Sequence, residues 1–294
     1  MTTDASISFS ALNHYLARLK DRSHTAGSVF LDGAGRAHGK FFNVTLTSAF
    51  QAIRDTGAAR VVAFEGLARS HSRHDAGLSL WRLLDHAASD AESVALDRLC
   101  RMLHAINFYR QSAACEFDLY LSVHARLLAA VEDDHGAAFR RVLAALELPH
   151  EKIVLQLPVA DARQDWLLNV VANNYRRNGF RLALDAGHAQ QALDALDQVQ
   201  AEVIKLDSRQ LADEQQVLRL LRQAAQCGVR VVFKRVETAA VALLLRQLGE
   251  RTGLPIYAQG YLWHRPAAAL DTAGLADRDG ASAVAGASGA SAAA

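Results

Sequence analysis

From Phe50 onward the chain repeats one unit, a short apolar run followed by a longer stretch whose apolar residues recur at helical spacing. The runs are FQAIR (50–54), RVVAFEGLA (60–68), DLYLSV (118–123), KIVLQL (152–157), FRLALD (180–185), EVIKLD (202–207), VRVVFKR (229–235) and PIYAQGYL (255–262), eight in all. Runs this short read as strands, and the segments between most of them are long enough to be helical crossovers, the pattern of a parallel sheet covered by helices. Eight is the strand count of a closed barrel, although an open doubly wound sheet also accepts it. The first pair departs from the pattern. Only Asp55, Thr56, Gly57, Ala58 and Ala59 separate runs one and two, a hairpin length too short for a parallel crossover. The expected fold is therefore α/β, a modified TIM-like (β/α)8 barrel whose first strand runs antiparallel to the second.

The flanks read differently. Residues 8–21 place Leu12, Tyr15, Leu16 and Leu19 on one helical face, and Asp32, Gly33 and Gly35 mark a turn between two short runs, a small hairpin expected outside the core. The division predicted is an N-terminal helix-and-hairpin extension over 1–45, the barrel domain over 46–271, and a disordered Ala/Gly/Ser tail over 272–294, which has too little apolar surface to offset its ordering entropy. Lys+Arg 32 against Asp+Glu 31 leaves a net charge of +1 with no strongly basic stretch, which argues against DNA or RNA as a partner. Cys100, Cys115 and Cys227 are far apart and suit reduced thiols. With no export signal and no uncharged apolar run of about 18 residues, a cytoplasmic protein without membrane insertion is expected.

Barrels of this kind carry their chemistry at the C-terminal ends of the strands, so the residues to inspect are the polar ones that close an apolar run. These are Glu65 and Arg69, Ser122, Gln156, Asp185, Lys205 and Asp207, Lys234 and Glu237, and Gln259. No P-loop, dinucleotide-binding glycine turn, H-E-x-x-H or G-x-S-x-G motif competes with them.

At these positions the chain resembles the EAL family, whose members cleave cyclic-di-GMP with two divalent metals inside a barrel having an antiparallel first strand. Phe50-Gln51-x-Ile53 resembles the family's Tyr-Gln-Pro-Ile opening, and Glu65-Gly66-Leu67-Ala68-Arg69 its E-x-L-x-R signature. Phe180–Asp185 is similar to the strand before its Asp-Asp-Phe-Gly loop, Ile204–Asp207 to its Lys-Ile-Asp strand, Val231–Glu237 to its Val-Val-Ala-Glu-Gly-Val-Glu strand, and Gln259-Gly260-Tyr261 with Pro266 to its closing motif. The resemblance also implies where the chain departs. Of the family's metal ligands only Glu65 and Asp185 are kept; Ser122 stands for an asparagine, Gln156 for a glutamate, Ala186 for the second aspartate and Lys234 for the strand-seven glutamate. An ammonium among positions meant for dications opposes metal entry, so no metal cofactor is expected and no catalytic set is intact, Glu65, Asp185 and Lys205 being its remnants. Val159 replaces a glutamate that anchors the loop after strand five, which here reads Asp185-Ala186-Gly187-His188, so a different loop conformation is expected and the family's usual dimer contact is in doubt.

Plainer readings accompany several of these residues. Glu65 and Arg69 form a rim salt bridge in the simplest account, and Lys205 a counter-ion for Asp185, where the family uses it to position water. Lys234 and Arg235 are either solvated or, with Arg69 and Lys205, a cationic patch for phosphates. His71 and His74 read as solvated surface, His124 and His188 as polar packing beside the mouth, and of Trp81, Trp166 and Trp263 only the last is placed to touch a base. The leading expectation is a non-catalytic EAL-type signalling protein that binds cyclic-di-GMP and regulates a protein partner, with a homodimer also compatible. The ligand-binding set would be Glu65, Leu67, Arg69, Asp185, Lys205, Asp207, Lys234, Glu237, Gln259 and Pro266; Arg69 would hold a phosphate, Gln259 and Asp207 would read guanine edges, and Leu67 and Pro266 would supply apolar walls. The alternatives are a protein-interaction module without nucleotide binding and a weak phosphodiesterase.

Overall fold

In the computed structural model of the chain, residues 29–42, 44–72, 75–76, 89–125, 134–159 and 165–272 are described. The helix expected over residues 8–21, the tail beyond residue 272, His74 and Trp81 lie outside them. The strands are β1 (Val29–Leu31), β2 (Ala37–Phe41), β3 (Val44–Asp55), β4 (Arg60–Ser72), β5 (Asp75–Ala76), β6 (Asp118–Ser122), β7 (Ile153–Pro158), β8 (Arg181–Ala186), β9 (Val203–Asp207), β10 (Arg230–Lys234) and β11 (Tyr257–Ala258). The helices are α1 (Asp90–Tyr109), α2 (His135–Ala145), α3 (Asp165–Arg177), α4 (Ala189–Gln198), α5 (Glu214–Gln226) and α6 (Ala239–Thr252).

Eight strands close a barrel in the order β3-β11-β10-β9-β8-β7-β6-β4, shut by the β3–β4 pairing. β3 is antiparallel to both its neighbours and every other pair in the wall is parallel, as the hairpin spacing of the first two runs requires. The β3–β4 turn is closed by Asp55, whose Oδ1 accepts from the Gly57 and Ala58 amides at 3.1 and 3.0 Å, an aspartate turn that Ala59 completes in the left-handed region at φ 50°. The first strand begins at Val44, earlier than Phe50, because the β3–β4 ladder runs past the barrel wall as far as Thr45↔His71.

The β1–β2 hairpin corrects one expectation. It continues the sheet along β3, pairing Gly39 with Leu46, and Val29, Ala37 and Phe41 are buried in the main core. Its alternating inner face is pressed on α1: a Cβ on Gly39 would sit 2.9 Å from methyls of Leu99 and Leu103, and the Asn107 amide bonds both backbone groups of Ala37 at 2.8 Å. α1 starts from a capping box in which Ser89 and Glu92 satisfy each other's backbone amides, fixing where its apolar face meets the barrel.

Inside the barrel the strand period of two sorts residues into layers. Ile53, Ala63, Tyr120, Val154, Ala183, Val203 and Val232 form a dry layer. One step of two residues toward the mouth, on the same face of each strand, stand Gln51, Glu65, Ser122, Gln156, Asp185, Lys205 and Lys234. The dry layer seals the barrel below, so these polar groups can satisfy one another or face the mouth.

Candidate functional site

Glu65 is the hub of the polar layer. Its Oε1 accepts from Gln156 Nε2 at 2.8 Å, and its Oε2 accepts from Lys205 Nζ at 2.9 Å and also from Gln259 Nε2. Gln156 Nε2 reaches Ser122 Oγ at 3.1 Å, and Gln259 Nε2 reaches Gln51 Oε1 at 3.2 Å, extending the network across β6, β7, β9, the residue after β11, and β3. Lys205 is 1% and Glu65 12% exposed. Burial by itself would push the Glu65 carboxyl up; the Lys205 ammonium beside it and the donated hydrogen bonds overcome that and hold it at about 2. Lys205 is therefore the counter-ion of Glu65, which corrects its assignment to Asp185, and neither partner joins Arg69, whose Nη1 donates to the Ala68 carbonyl. Asp185 is instead paired with Lys234, two strands along the same side of the wall.

Above this layer, Asp207 ends β9 and accepts from two guanidiniums. Arg209 forks onto both oxygens, Nε to Oδ1 at 3.0 Å and Nη2 to Oδ2 at 2.7 Å, and Arg235 Nη1 reaches Oδ2 at 2.8 Å. Against the upward push of partial burial, these contacts hold the carboxyl at about 2. Glu237 is exposed on the same side, close enough to favour the charge on Arg209. Leu67 and Arg69 are half-buried on the part of β4 that extends past the barrel wall. Pro266 precedes Ala267, whose amide and carbonyl bond Phe50, holding the closing segment against β3.

The structure thus joins Glu65, Lys205 and Gln259 directly, pairs Asp185 with Lys234, and sets Asp207 in a separate cluster. Sequence reasoning missed Arg209 and Gln191, and took Gln51 only as part of the opening motif, without a place in the site. Gln191 anchors the loop after β8 in place of a carboxylate: its Oε1 accepts from the Gly187 amide at 2.7 Å and its Nε2 donates to the Val159 carbonyl at 3.3 Å. The only signal for it was a polar residue one helical turn after the glycine. His188 caps α4 by accepting from the Gln191 amide at 3.2 Å, the polar packing expected of it. Trp263 packs against the core and lines an outer groove of about 890 Å³ with Thr56, Leu243, Leu254 and Ile256. A buried histidine, His104 on α1, bonds Ser48 Oγ at 2.8 Å and lies closely under Gly66 next to Glu65. Burial lowers its pKa to about 3, keeping it neutral, although the Glu65 charge opposes the shift.

Among the described residues, no group of three or more His, Cys, Asp or Glu is arranged to hold a metal ion, and no helix is long and apolar enough to cross a membrane.

Compared with known proteins, residues 39–266 match the EAL domain family. A comparison with curated proteins gives no match. Among solved structures, the fold is similar to a manganese/cy-diGMP complex of Klebsiella pneumoniae BlrP1 at pH 9.0, with TM-score 0.63 and 23% identity over 76% of this chain and 56% of that one. The same protein with FMN and cyclic diGMP and no metal ions gives TM-score 0.58 and 20% identity over 83% and 56% of the two chains. A standalone versatile EAL protein of Vibrio cholerae O395, in its c-di-GMP bound form, gives TM-score 0.60 and 18% identity over 77% and 94%. The alignment therefore spans little more than half the length of the Klebsiella protein.

Proposed function

The chain belongs to the EAL domain family, and from that premise we propose that it is a cytoplasmic signalling member that binds cyclic-di-GMP at the barrel mouth without hydrolysing it and regulates a protein partner. The observation that carries this reading is the pairing of both remaining ligand carboxylates with ammonium groups, Glu65 with Lys205 and Asp185 with Lys234. Two-metal hydrolysis requires several anionic oxygens converging on ions about 3.5–4 Å apart, so that a polarised water attacks while the ions neutralise developing charge. Here two negative side chains face two positive ones, and both Glu65 oxygens are already occupied by N–H donors. That donor set does not fit a pair of dications. Bringing them in would mean displacing the buried Lys205 ammonium and the part-exposed Lys234 ammonium against Coulomb repulsion.

Binding has a separate basis. A cyclic dinucleotide needs cationic donors for its phosphates and shaped polar and apolar surface for its bases. Arg69 has no carboxylate partner among the described residues and is half-buried, where a guanidinium is worth most to a phosphate. Gln259 Oε1 is buried without a hydrogen-bond partner, an acceptor available to a base N–H after a small rotation. That BlrP1 is held with cyclic diGMP and no metal ions supports the separability of binding from metal. The free thiols of Cys115 and Cys227, both exposed, suit a reducing compartment.

The test is calorimetry with cyclic-di-GMP in EDTA, followed by product analysis in Mg²⁺ or Mn²⁺. The expected result is saturable binding that survives chelation and no linear dinucleotide; appearance of the linear product would establish a weak phosphodiesterase instead. A second reading, a protein-interaction module that no longer takes nucleotide, is favoured by the engagement of Asp207 with two arginines. It predicts no heat with cyclic-di-GMP and undiminished partner capture by an Arg69→Ala, Gln259→Ala double variant.

A further inference from the structure

Arg235 adopts a conformation that an arginine ordinarily avoids. Its φ is 62°, in the left-handed region, and among the described residues it is one of four non-glycine residues there; the others, Phe42, Ala59 and Glu147, lie in turns. A side chain in this region crowds the following carbonyl, a strain that persists only where the surroundings impose it. Here they do. Ser208 Oγ donates to the Arg235 carbonyl at 2.9 Å, the Val236 amide donates to the Gln259 carbonyl at 3.0 Å, and Gly260 lies so close that a Cβ there would fall 1.9 Å from the Val236 oxygen. The segment after β10 is thus clamped between the ends of β9 and β11, and glycine would meet its backbone requirement at the least cost.

What the arginine adds is its head group. Arg235 is 52% and Arg209 64% exposed, and the two guanidiniums share the single carboxylate of Asp207, Glu237 acting on Arg209 only through space, so Arg235 has no carboxylate to itself. Asp207 uses only Nη1 of Arg235, so Nε and Nη2 remain as outward donors, already oriented by the carboxylate. Such bracing removes part of the ordering cost of binding an anion. The cluster lies on β9 and β10, on the wall of the eight-stranded barrel opposite β4, which carries Arg69. A ligand with two phosphates thus meets a guanidinium on each side of the mouth.

We propose that Arg235 and Arg209, braced on Asp207, form a second, metal-independent anion subsite that takes a phosphate of the nucleotide ligand. The inference rests on the proposed cyclic-di-GMP site and assigns its second phosphate contact.

The experiment titrates the full-length chain and its R235G and R235K variants, in EDTA, with cyclic-di-GMP and separately with inorganic pyrophosphate, alongside thermal unfolding. R235G is expected to weaken cyclic-di-GMP binding by roughly tenfold or more, the loss typical of one charge-assisted hydrogen bond. R235K should fall between it and the native chain, and the R235G unfolding midpoint should stay level or rise because the strain is released. Unchanged or tighter cyclic-di-GMP binding by R235G would overturn the subsite while leaving the proposed function standing. Arg235-dependent pyrophosphate binding by a chain that ignores cyclic-di-GMP would uphold the subsite and remove the proposed ligand. A chain that binds neither probe loses both readings, and a lower midpoint accompanying the affinity loss would make Arg235 a brace for the loop, also overturning the subsite.

Discussion

On the floor of the barrel mouth Lys205 is 1% exposed and closed onto Glu65, whereas on the rim Arg209 and Arg235 are 64% and 52% exposed and share one carboxylate. On the floor, the Glu65 and Lys205 charges cancel in a buried network tied across several strands, which holds the barrel together and leaves Gln259 Oε1 as an unengaged acceptor. On the rim, two half-exposed guanidiniums share one carboxylate directly and keep donors it does not use. The same residue types thus have opposite consequences, because burial decides whether a charge must be satisfied internally.

The most severe test of that contrast is Lys205→Met. It leaves the Glu65 carboxylate buried without its counter-ion and should cost about 3–5 kcal/mol in urea unfolding, with a Glu65→Gln, Lys205→Met pair recovering most of the loss. A cost below about 1 kcal/mol, in the range of exposed pairs, would erase the distinction between floor and rim.

Next in size is the rim itself. Arg69→Ala should weaken cyclic-di-GMP binding by about 1.5–3 kcal/mol, the range for a hydrogen bond to a charged group, while the unfolding midpoint hardly moves. Equal losses of affinity and stability would place Arg69 with the floor.

The floor should also be visible in the pH dependence of stability, at up to about 1.4 kcal/mol per pH unit for each group. Glu65 is depressed from 4.5 to about 2, so its contribution is full above pH 4.5 and is lost as pH falls through 2. His104 is depressed from 6.5 to about 3, so the unfolded chain takes up its proton first and stability declines as pH drops from 6.5 toward 3. Urea curves from pH 7 to 3 should show both segments. His104→Asn should flatten the segment between pH 6.5 and 4.5 and Glu65→Gln the one below 4.5; an unchanged upper slope in the His104 variant would remove His104 from the pH dependence, since Glu65 does not act above pH 4.5.

The smallest effect belongs to Lys234→Met. Lys234 is 20% and Asp185 38% exposed, so solvent screens their pair and its loss should cost no more than about 1 kcal/mol in the same unfolding assay. A cost matching that of Lys205→Met would show that the sealed layer extends to β10.

The eight strand runs, the antiparallel first pair and the polar residues that close the runs were legible in the sequence, because the period of two and the lengths of connections are local properties of the chain, whereas the closure of the sheet and its apolar inner layer belong to the tertiary structure. Ala63 and Glu65, Val203 and Lys205, and Val232 and Lys234 each lie two residues apart, which places the charge on the face of the apolar residue whatever the partner. Which charge meets which was decided only in three dimensions. Lys205 reaches Glu65 across 140 residues of chain and leaves Asp185 to Lys234, a choice set by the stagger of strands around a closed barrel. The burial of the β1–β2 hairpin, the clamp on Asp207 by Arg209 and the anchoring of the β8 loop by Gln191 have the same origin. A linear pattern records which face a side chain takes; the distance between faces on different strands exists only once the wall has closed.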